Sequence, residues 1–316
     1  MINIKMNQQL KNILITGATG FVGQNLTPYL LEKGYSVTGV TRTPKSTKEY
    51  SYQTLSKEIW DTSTAIVHLA GKAHDLKGVS NENDYFEANT ELTKKLFHQF
   101  LESDCKVFIY MSSVKAAADE VEGVLTETVV ARPITAYGKS KLAAETYLLE
   151  QTLPVTKKLY ILRPCMIHGP GNKGNLNLLY QLVSKGIPYP LGAFENKRSF
   201  LSIENLCFVI NQLLNQQPES GIYNIADDMA ISTNELVQLI GEGSGRPSRI
   251  LKFPKRLLLG FGKLGTFLHL PINEEKLQKL TESYVVDTTK IKKVLNIQLP
   301  ESTKQGLLKT IKSFQE

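Results

Sequence analysis

The sequence predicts an α/β fold, a doubly wound parallel sheet joined to a smaller α+β C-terminal lobe. Three observations predict it. Short apolar runs alternate with helical patterns through the first half of the chain, as in a sheet covered on both faces. A glycine-rich turn joins the first such run to the first helical pattern. Beyond residue 165 the alternation gives way to longer loops.

The first strand is Ile13-Leu14-Ile15-Thr16, running into Gly17-Ala18-Thr19-Gly20-Phe21-Val22-Gly23. Gln24 to Gly34 follows with a helical pattern stopped by glycine. Gly17 and Gly20 allow a tight turn and close backbone approach to a pyrophosphate, and Gly23 lets the helix lie on the strand. The diphosphate then sits at the helix N-terminus. Strand, fingerprint and helix in this order mark a dinucleotide site formed by Gly17, Thr19, Gly20, Phe21, Val22 and Gly23.

Ser36 to Thr41 is the second strand. NAD-specific sites carry a carboxylate about 20 residues past the fingerprint, bound to the ribose 2′-hydroxyl. Here the first acidic residue after Val37 is Glu49, and Arg42 stands in the place, with Lys45 and Lys48 beyond. A guanidinium suits a 2′-phosphate and stacks on adenine. NADP(H) is the favoured cofactor; NAD is the alternative, with Arg42 covering adenine.

Ala65 to Gly71 reads as a buried strand whose end, Leu69-Ala70-Gly71, is small enough for backbone to approach the cofactor. Phe86 to Glu102 is an amphipathic helix carrying Asn89, expected to belong to the cofactor site chiefly by supporting the Lys141 region. Lys106 to Ser113 is the next buried strand, with Ser113 at its carboxyl end, where open parallel sheets bind ligands. Tyr137 and Lys141 begin a helix reaching about Thr152 and share one of its faces. A phenol titrates near ~10, and an ammonium beside it favours phenolate, so the pair can exchange a proton with a substrate oxygen. Leu159 to Arg163 is a strand broken by Pro164.

Downstream, His168 to Asn175 reads as loop, with His168 and His74 as loop residues. Leu176 to Lys185 and Ile203 to Asn215 are helical, Gly221 to Asp227 is strand-like, and Ser232-Thr233-Asn234-Glu235 caps a helix. The expected division is a dinucleotide-binding domain over 1–165, with 200–228 returning to it, and a substrate lobe of 166–199 and 229–316.

Composition excludes several classes. Met1 to Asn12 is polar, so no signal peptide is expected; Leu257 to Leu270 is too short and too interrupted to cross a membrane. Cys105, Cys165 and Cys207 are scattered, as in free thiols of a reducing cytoplasm, and the five histidines lack companions at ligand spacing, so no metal is expected. A formal charge of +7 raises nucleic-acid binding, but the lysines are spread along the chain and no such motif is present. The basic, leucine-rich stretch from Lys252 to His269 reads as a lobe-packing hairpin rather than a membrane-surface element.

Taken in order, Thr16 to Gly23, His68-Leu69-Ala70, Asn89, Ser112-Ser113, Tyr137-Gly138-Lys139-Ser140-Lys141, Leu162-Arg163-Pro164, His168-Gly169-Pro170-Gly171, Arg198-Ser199-Phe200 and Tyr223 to Asp227 resemble the extended short-chain dehydrogenase/reductases, of Rossmann type, over nearly the whole chain. Ser112-Ser113-Val114-Lys115, Lys173-Gly174-Asn175-Leu176 and Leu280 to Asp287 are similar to a bacterial epimerase/dehydratase branch of UDP-sugar 4-epimerases and UDP-4-keto-sugar reductases. The resemblance implies Tyr137 as acid/base, Lys141 on the nicotinamide ribose, Ser113 on the reacting oxygen, Pro164 near the cofactor, and Arg198 and Asn175 on the substrate diphosphate. It also implies a homodimer. The chain departs from the family at Met166, where Asn is common, at Ala117-Ala118, where Tyr-Gly is familiar, and in the segment from Pro44 to Thr62, whose shortness leaves the usual adenine-side aspartate unassigned.

The expected activity is NADP(H)-dependent reduction of the C4 ketone of a UDP-linked 4-keto-2-acetamido-6-deoxy sugar, in surface-polysaccharide sugar biosynthesis. The alternative is a UDP-sugar 4-epimerase of the UDP-glucose or UDP-GlcNAc type with tightly bound NAD. A third class is a non-catalytic NADP(H)-binding sensor; retention of both Tyr137 and Lys141 argues against it. A 4,6-dehydratase needs a carboxylate where Val114-Lys115 stands.

Overall fold

Apolar runs rich in β-branched residues build the centre of the first half, and in the computed structural model, which describes residues 11–73, 81–172, 175–260 and 274–315, they are strands. In chain order the strands are β1 (Asn12–Thr16), β2 (Ser36–Thr41), β3 (Glu49–Ser51), β4 (Ala65–His68), β5 (Val107–Met111), β6 (Val124–Leu125), β7 (Lys158–Pro164), β8 (Met166–His168), β9 (Lys197–Arg198), β10 (Phe200–Ser202), β11 (Gly221–Ile225), β12 (Ile231–Ser232) and β13 (Val285–Val286). The helices are α1 (Phe21–Glu32), α2 (Lys57–Asp61), α3 (Glu82–Phe86), α4 (Leu92–Leu101), α5 (Ala136–Glu150), α6 (Asn175–Ser184), α7 (Ile203–Gln216), α8 (Thr233–Gly243), α9 (Glu274–Thr281), α10 (Thr289–Leu295) and α11 (Thr303–Ser313).

The seven-stranded sheet has the order β11-β7-β5-β4-β1-β2-β3. Its pairs β3-β2, β2-β1, β1-β4, β4-β5 and β5-β7 are parallel. The chain starts in the middle, runs out to β3 and returns to β4 on the other side of β1. That reversal makes the carboxyl ends of β1 and β4 the switch point where open sheets bind ligands.

Two compact units divide the chain. The first comprises the chain up to Asp119, Ala131–Arg163 and Val209–Tyr223; the second comprises Glu120–Val130, Pro164–Phe208 and the chain from Asn224 onward. In the first, Leu14, Ile66, Phe108 and Ile161 of the sheet share a buried cluster with Phe97 and Phe100 of α4 and Ala144 and Leu148 of α5. The Phe97 and Phe108 rings meet edge to face at 5.0 Å. In the second, Leu236 and Ile240 of α8, Leu307 and Ile311 of α11, and Leu176 and Val183 of α6 form the core. Ser232 and Glu235 make the capping box read from the sequence: the Ser232 hydroxyl accepts from the Glu235 amide, and the Glu235 carboxylate accepts from the Ser232 amide.

A buried lysine finishes α4. Lys157 Nζ donates to the carbonyls of Phe100, Ser103 and Cys105, each at 2.7 Å, and lies 4.3 Å from the centre of the Phe100 ring. These carbonyls belong to the helix end and the turn after it, where acceptors run short of intrahelical partners; that of Phe100 also accepts from the Ser103 amide at 3.2 Å and hydroxyl at 2.9 Å. Lys157→Met leaves all three facing an apolar chain, and we expect a loss of about 2–3 kcal/mol. Urea unfolding at constant m-value measures it.

Two sequence expectations change here. The helix expected over Phe86 to Glu102 begins at Glu82 and contains a π-turn at Glu87–Glu91, the position of Asn89. His168, expected in a loop, ends β8 and is fully buried. Its Nδ1 pairs with Thr310 Oγ1 at 2.9 Å, and its Cε1 faces Gly306, where a Cβ would stand 3.4 Å away. Both partners come from α11, far away in sequence, so no local pattern reports the burial. His74 lies outside the described residues. Cys105, Cys165 and Cys207 are free and buried. No helix among the described residues is long and apolar enough to cross a membrane.

Candidate active site

Gly17 turns the chain at the end of β1 with φ +68°, a conformation that glycine adopts without strain. A Cβ there would stand 2.8 Å from the Ala70 amide nitrogen, so the turn and the Leu69-Ala70-Gly71 segment approach backbone to backbone. Gly20 is the N-cap of α1, and no side chain caps that end. The first amides of α1 therefore point outward beside two close-set glycine turns, a cradle whose shape and polarity fit a diphosphate. Thr19, Phe21 and Val22 lie in the same turn and first helical residues.

Gly23 is the tightest of the three fingerprint glycines. A Cβ there would meet Gly17 O at 2.5 Å and Ala18 Cα and O at 2.6 Å, all backbone atoms that cannot swing aside. We expect Gly23→Ala to push α1 off the turn, weaken dinucleotide binding at least roughly tenfold and cost about 1–3 kcal/mol. Nucleotide fluorescence titration and thermal unfolding read the two effects.

Arg42 follows β2 directly and is exposed. Glu49, the nearest carboxylate in sequence, pairs in register with Gly39 and accepts the Lys45 amide at 2.6 Å. Tyr52, which the sequence did not single out, reaches the turn: its phenol is pushed up by burial, against a hydrogen bond at the Gly17 backbone and the charge of Arg42.

The switch point is held by a chain of buried polar contacts. Thr16 Oγ1 and His68 Nδ1 are 2.6 Å apart, His68 Nε2 and Thr93 Oγ1 2.9 Å, and Thr93 Oγ1 donates to Asn89 O at 2.7 Å. Burial, then the charge of Lys141, pushes the imidazole down to about 3, so His68 is a neutral link. Asn89 Oδ1 accepts the Lys72 amide at 2.8 Å, and its Nδ2 donates to Lys72 O at 3.0 Å and Ser140 Oγ at 2.9 Å. The π-turn thus turns Asn89 toward Lys72 and α5.

α5 presents an unusual buried face: Ser140, Lys141 and Glu145 are all buried. Lys141 Nζ donates to Met111 O at 2.8 Å and lies 4.9 Å from the centre of the Tyr110 ring. A Cβ on Gly71 would stand 3.1 Å from that Nζ, so glycine there leaves the ammonium its space. Burial pushes Lys141 down to about 8, and the Glu145 charge opposes the fall. Glu145 in turn takes Arg163 Nη2 at 2.5 Å, Arg163 Nε at 3.0 and 3.2 Å, and the Ser112 hydroxyl at 2.5 Å.

Ser113 hydrogen-bonds the Tyr137 phenol, and its Oγ accepts the Lys115 amide at 3.2 Å. Ser113, Tyr137, Lys141, Asn89 and Gly71 therefore belong to one constellation in the first unit. The phenol differs from the sequence expectation in one respect: burial pushes it up, and the opposing pull comes from Ser113 rather than from the lysine. Alignment of the pair rests on Asp119, whose carboxylate accepts the amides of Ile134 at 2.6 Å and Thr135 at 3.1 Å and the Thr135 hydroxyl at 3.1 Å, clamping the start of α5. A Cβ on Gly138 would stand 2.4 Å from Lys115 O, so that glycine lets the turn after Ser113 touch the helix.

The remaining candidates lie in the second unit. Pro164 closes β7 and Asn175 opens α6; the Asn175 side chain is outside what the structure describes. Arg198 is three-quarters buried, with Nη2 3.6 Å from a Glu282 carboxylate oxygen and Nε donating to Glu282 O at 3.3 Å. Among the described residues no cluster of His, Cys, Asp or Glu could hold a metal ion.

A family model described as the NAD dependent epimerase/dehydratase family matches residues 13–226. The chain is 32% identical to a UDP-glucose 4-epimerase of Vibrio cholerae, over 96% of this chain and 95% of that one. It is 23% identical to a dTDP-4-dehydro-6-deoxyglucose reductase of Escherichia coli, over 81% of this chain and 86% of the relative. The fold matches MoeE5 in complex with UDP-glucuronic acid and NAD, with a TM-score of 0.74 at 22% identity, over 96% of this chain and 99% of that one. This chain belongs to the NAD dependent epimerase/dehydratase family and is an NAD(P)-dependent enzyme that modifies nucleotide sugars.

Proposed function

We propose that the protein is an NADP(H)-dependent reductase of the C4 ketone of a UDP-linked 4-keto-2-acetamido-6-deoxy sugar, serving surface-polysaccharide synthesis. The observation that carries this reading is Arg42, exposed directly after β2 where a ribose-binding carboxylate would otherwise stand. A guanidinium there attracts a 2′-phosphate, and dissociable reductant for biosynthesis is drawn from the phosphorylated dinucleotide.

The nicotinamide supplies hydride when bound. The chain's own groups handle position and the proton. Ser113 Oγ and Tyr137 Oη hold the C4 oxygen between them, and Tyr137 gives its proton to that oxygen as negative charge develops. The raised phenol pKa suits this direction, because the group arrives protonated. Lys141, anchored on Met111 O, places its ammonium one turn from the phenol and offsets the phenolate left behind. In the second unit, Arg198 binds the substrate diphosphate, aided by Asn175. The proposal includes a homodimer formed through α5, whose outward face carries Leu142, Ala143 and the exposed Leu149.

A second reading, a 4-epimerase with retained NAD⁺, is favoured by the 32% identity to the Vibrio cholerae epimerase. Denaturing freshly purified protein and identifying the released nucleotide separates the two. The reductase reading expects no near-stoichiometric NAD⁺, and NADPH binding ahead of NADH. It also expects Arg42→Ser to weaken NADPH binding about tenfold or more while leaving NADH unchanged; equal loss for both dinucleotides contradicts the assignment.

A further inference from the structure

The charge of this chain is not evenly distributed, although its lysines are. Between Gly243 and Asn273 stand six of the 37 lysines and arginines and none of the 30 carboxylates. The rest of the chain holds 31 cations against 30 anions, so almost the whole net charge of +7 resides there. Its described part carries Arg246, Arg249, Lys252, Lys255 and Arg256, all exposed.

The same segment exposes large apolar side chains. Leu251 is 42%, Phe253 45%, Leu257 57% and Leu259 43% exposed, four of the sixteen such side chains among the described residues, gathered within nine positions. Single exposed leucines are ordinary on any protein; a cluster is not. The segment is also firmly seated. Leu251 N donates to Tyr189 O at 2.8 Å, Gly192 N donates to Leu251 O at 3.0 Å, and Tyr189 N donates to Arg249 O at 2.8 Å. Ile250 and Leu258 pack on the core of the second unit. Lys255 extends over the Phe194 ring at 5.6 Å. Ile250 and Leu258 thus face the core, while the four side chains between and beside them turn outward; the remainder of the stretch read from the sequence as a lobe-packing hairpin lies outside the described residues.

We propose that residues 246–260 are a docking edge for the surface of an anionic phospholipid bilayer, with Leu251, Phe253, Leu257 and Leu259 entering the acyl boundary and Arg249, Lys252, Lys255 and Arg256 meeting lipid phosphates. Three features favour a bilayer over a protein partner. Cations are interleaved with the apolar side chains rather than confined to a rim, so chain stems lie in the boundary and charges reach the headgroups. No carboxylate lies within the segment to repel phosphate. The outward residues are spread over an extended run and a helical segment at 255–260, an irregular edge that a fluid surface accepts without matched shape. The proposal is independent of the reaction assigned above.

Co-sedimentation with vesicles tests it. We expect full-length protein to bind phosphatidylcholine vesicles containing about one-third phosphatidylglycerol, to ignore pure phosphatidylcholine, and to be released by high salt, with about fivefold loss of affinity per cation removed. The combined Phe253→Ser, Leu257→Ser and Leu259→Ser variant keeps every charge. It should retain the wild-type melting temperature and NADPH binding yet lose vesicle affinity roughly tenfold or more. Unaltered binding by that variant would mean attraction by charge alone and overturn the proposal. Failure of the wild type to bind anionic vesicles overturns it equally, as does self-association that the same three substitutions abolish without any vesicle binding.

Discussion

Tyr137→Phe abolishes turnover and leaves dinucleotide binding intact. The substitution removes one oxygen; the ring remains, packed edge-on to Tyr85 with centroids 6.4 Å apart. Ser113 still caps its own turn through the Lys115 amide, and Lys141 still rests on Met111 O, so the scaffold is unaltered. What disappears is the proton donor of the proposed reduction, a contribution of about 10²–10⁴ in kcat. Steady-state kinetics and an NADPH titration on the same preparation measure both halves. Undiminished kcat removes Tyr137 from the mechanism, and lost binding with lost activity makes its role structural.

Arg163→Met is the largest expected loss of stability. Arg163 and Glu145 are each almost fully buried, and the guanidinium meets the carboxylate through two nitrogens. Removing the arginine strands a carboxylate inside the protein with the Ser112 hydroxyl as a remaining hydrogen-bond donor and the charge of Lys141 at longer range. Such stranding costs about 3–5 kcal/mol, a large share of the stability of an ordinary domain. The double variant Arg163→Met with Glu145→Leu should recover much of it, because apolar replacements of similar volume substitute for a buried pair at little cost. Urea unfolding of the two single variants and the double variant gives the coupling energy. Wild-type stability in Arg163→Met contradicts the reading. The pair also bears on chemistry, since the Glu145 charge opposes the fall of the Lys141 pKa.

The groups legible in the sequence share one property: their chemistry is encoded over a few neighbouring positions. Gly17, Gly20 and Gly23 lie in one turn, Tyr137 and Lys141 on one helical face, and Ser232 and Glu235 in one capping box. What holds the site in place was not legible, because each partner comes from elsewhere in the chain. Asp119 clamps Thr135 from sixteen residues away, and Glu145 meets Arg163 across helix and strand. Asn89 was legible as a candidate, yet its partners Lys72 and Ser140, and the π-turn that aims it, required the fold. His168 read as a loop residue because the α11 positions that bury it, Gly306 and Thr310, lie far downstream. Tyr137 shows a different limit. A neighbouring lysine predicts a lowered phenol, whereas burial, invisible in sequence, raises it.

The central claim is tested most directly by mixing purified protein with NADPH and a UDP-linked 4-keto-2-acetamido-6-deoxy sugar and following the absorbance of the reduced nicotinamide. The account predicts oxidation of NADPH in step with loss of the ketone, slower with NADH, and absent in Tyr137→Phe. Contradiction is equally plain: NADPH left untouched while the protein, without added nucleotide, interconverts UDP-GlcNAc and its 4-epimer.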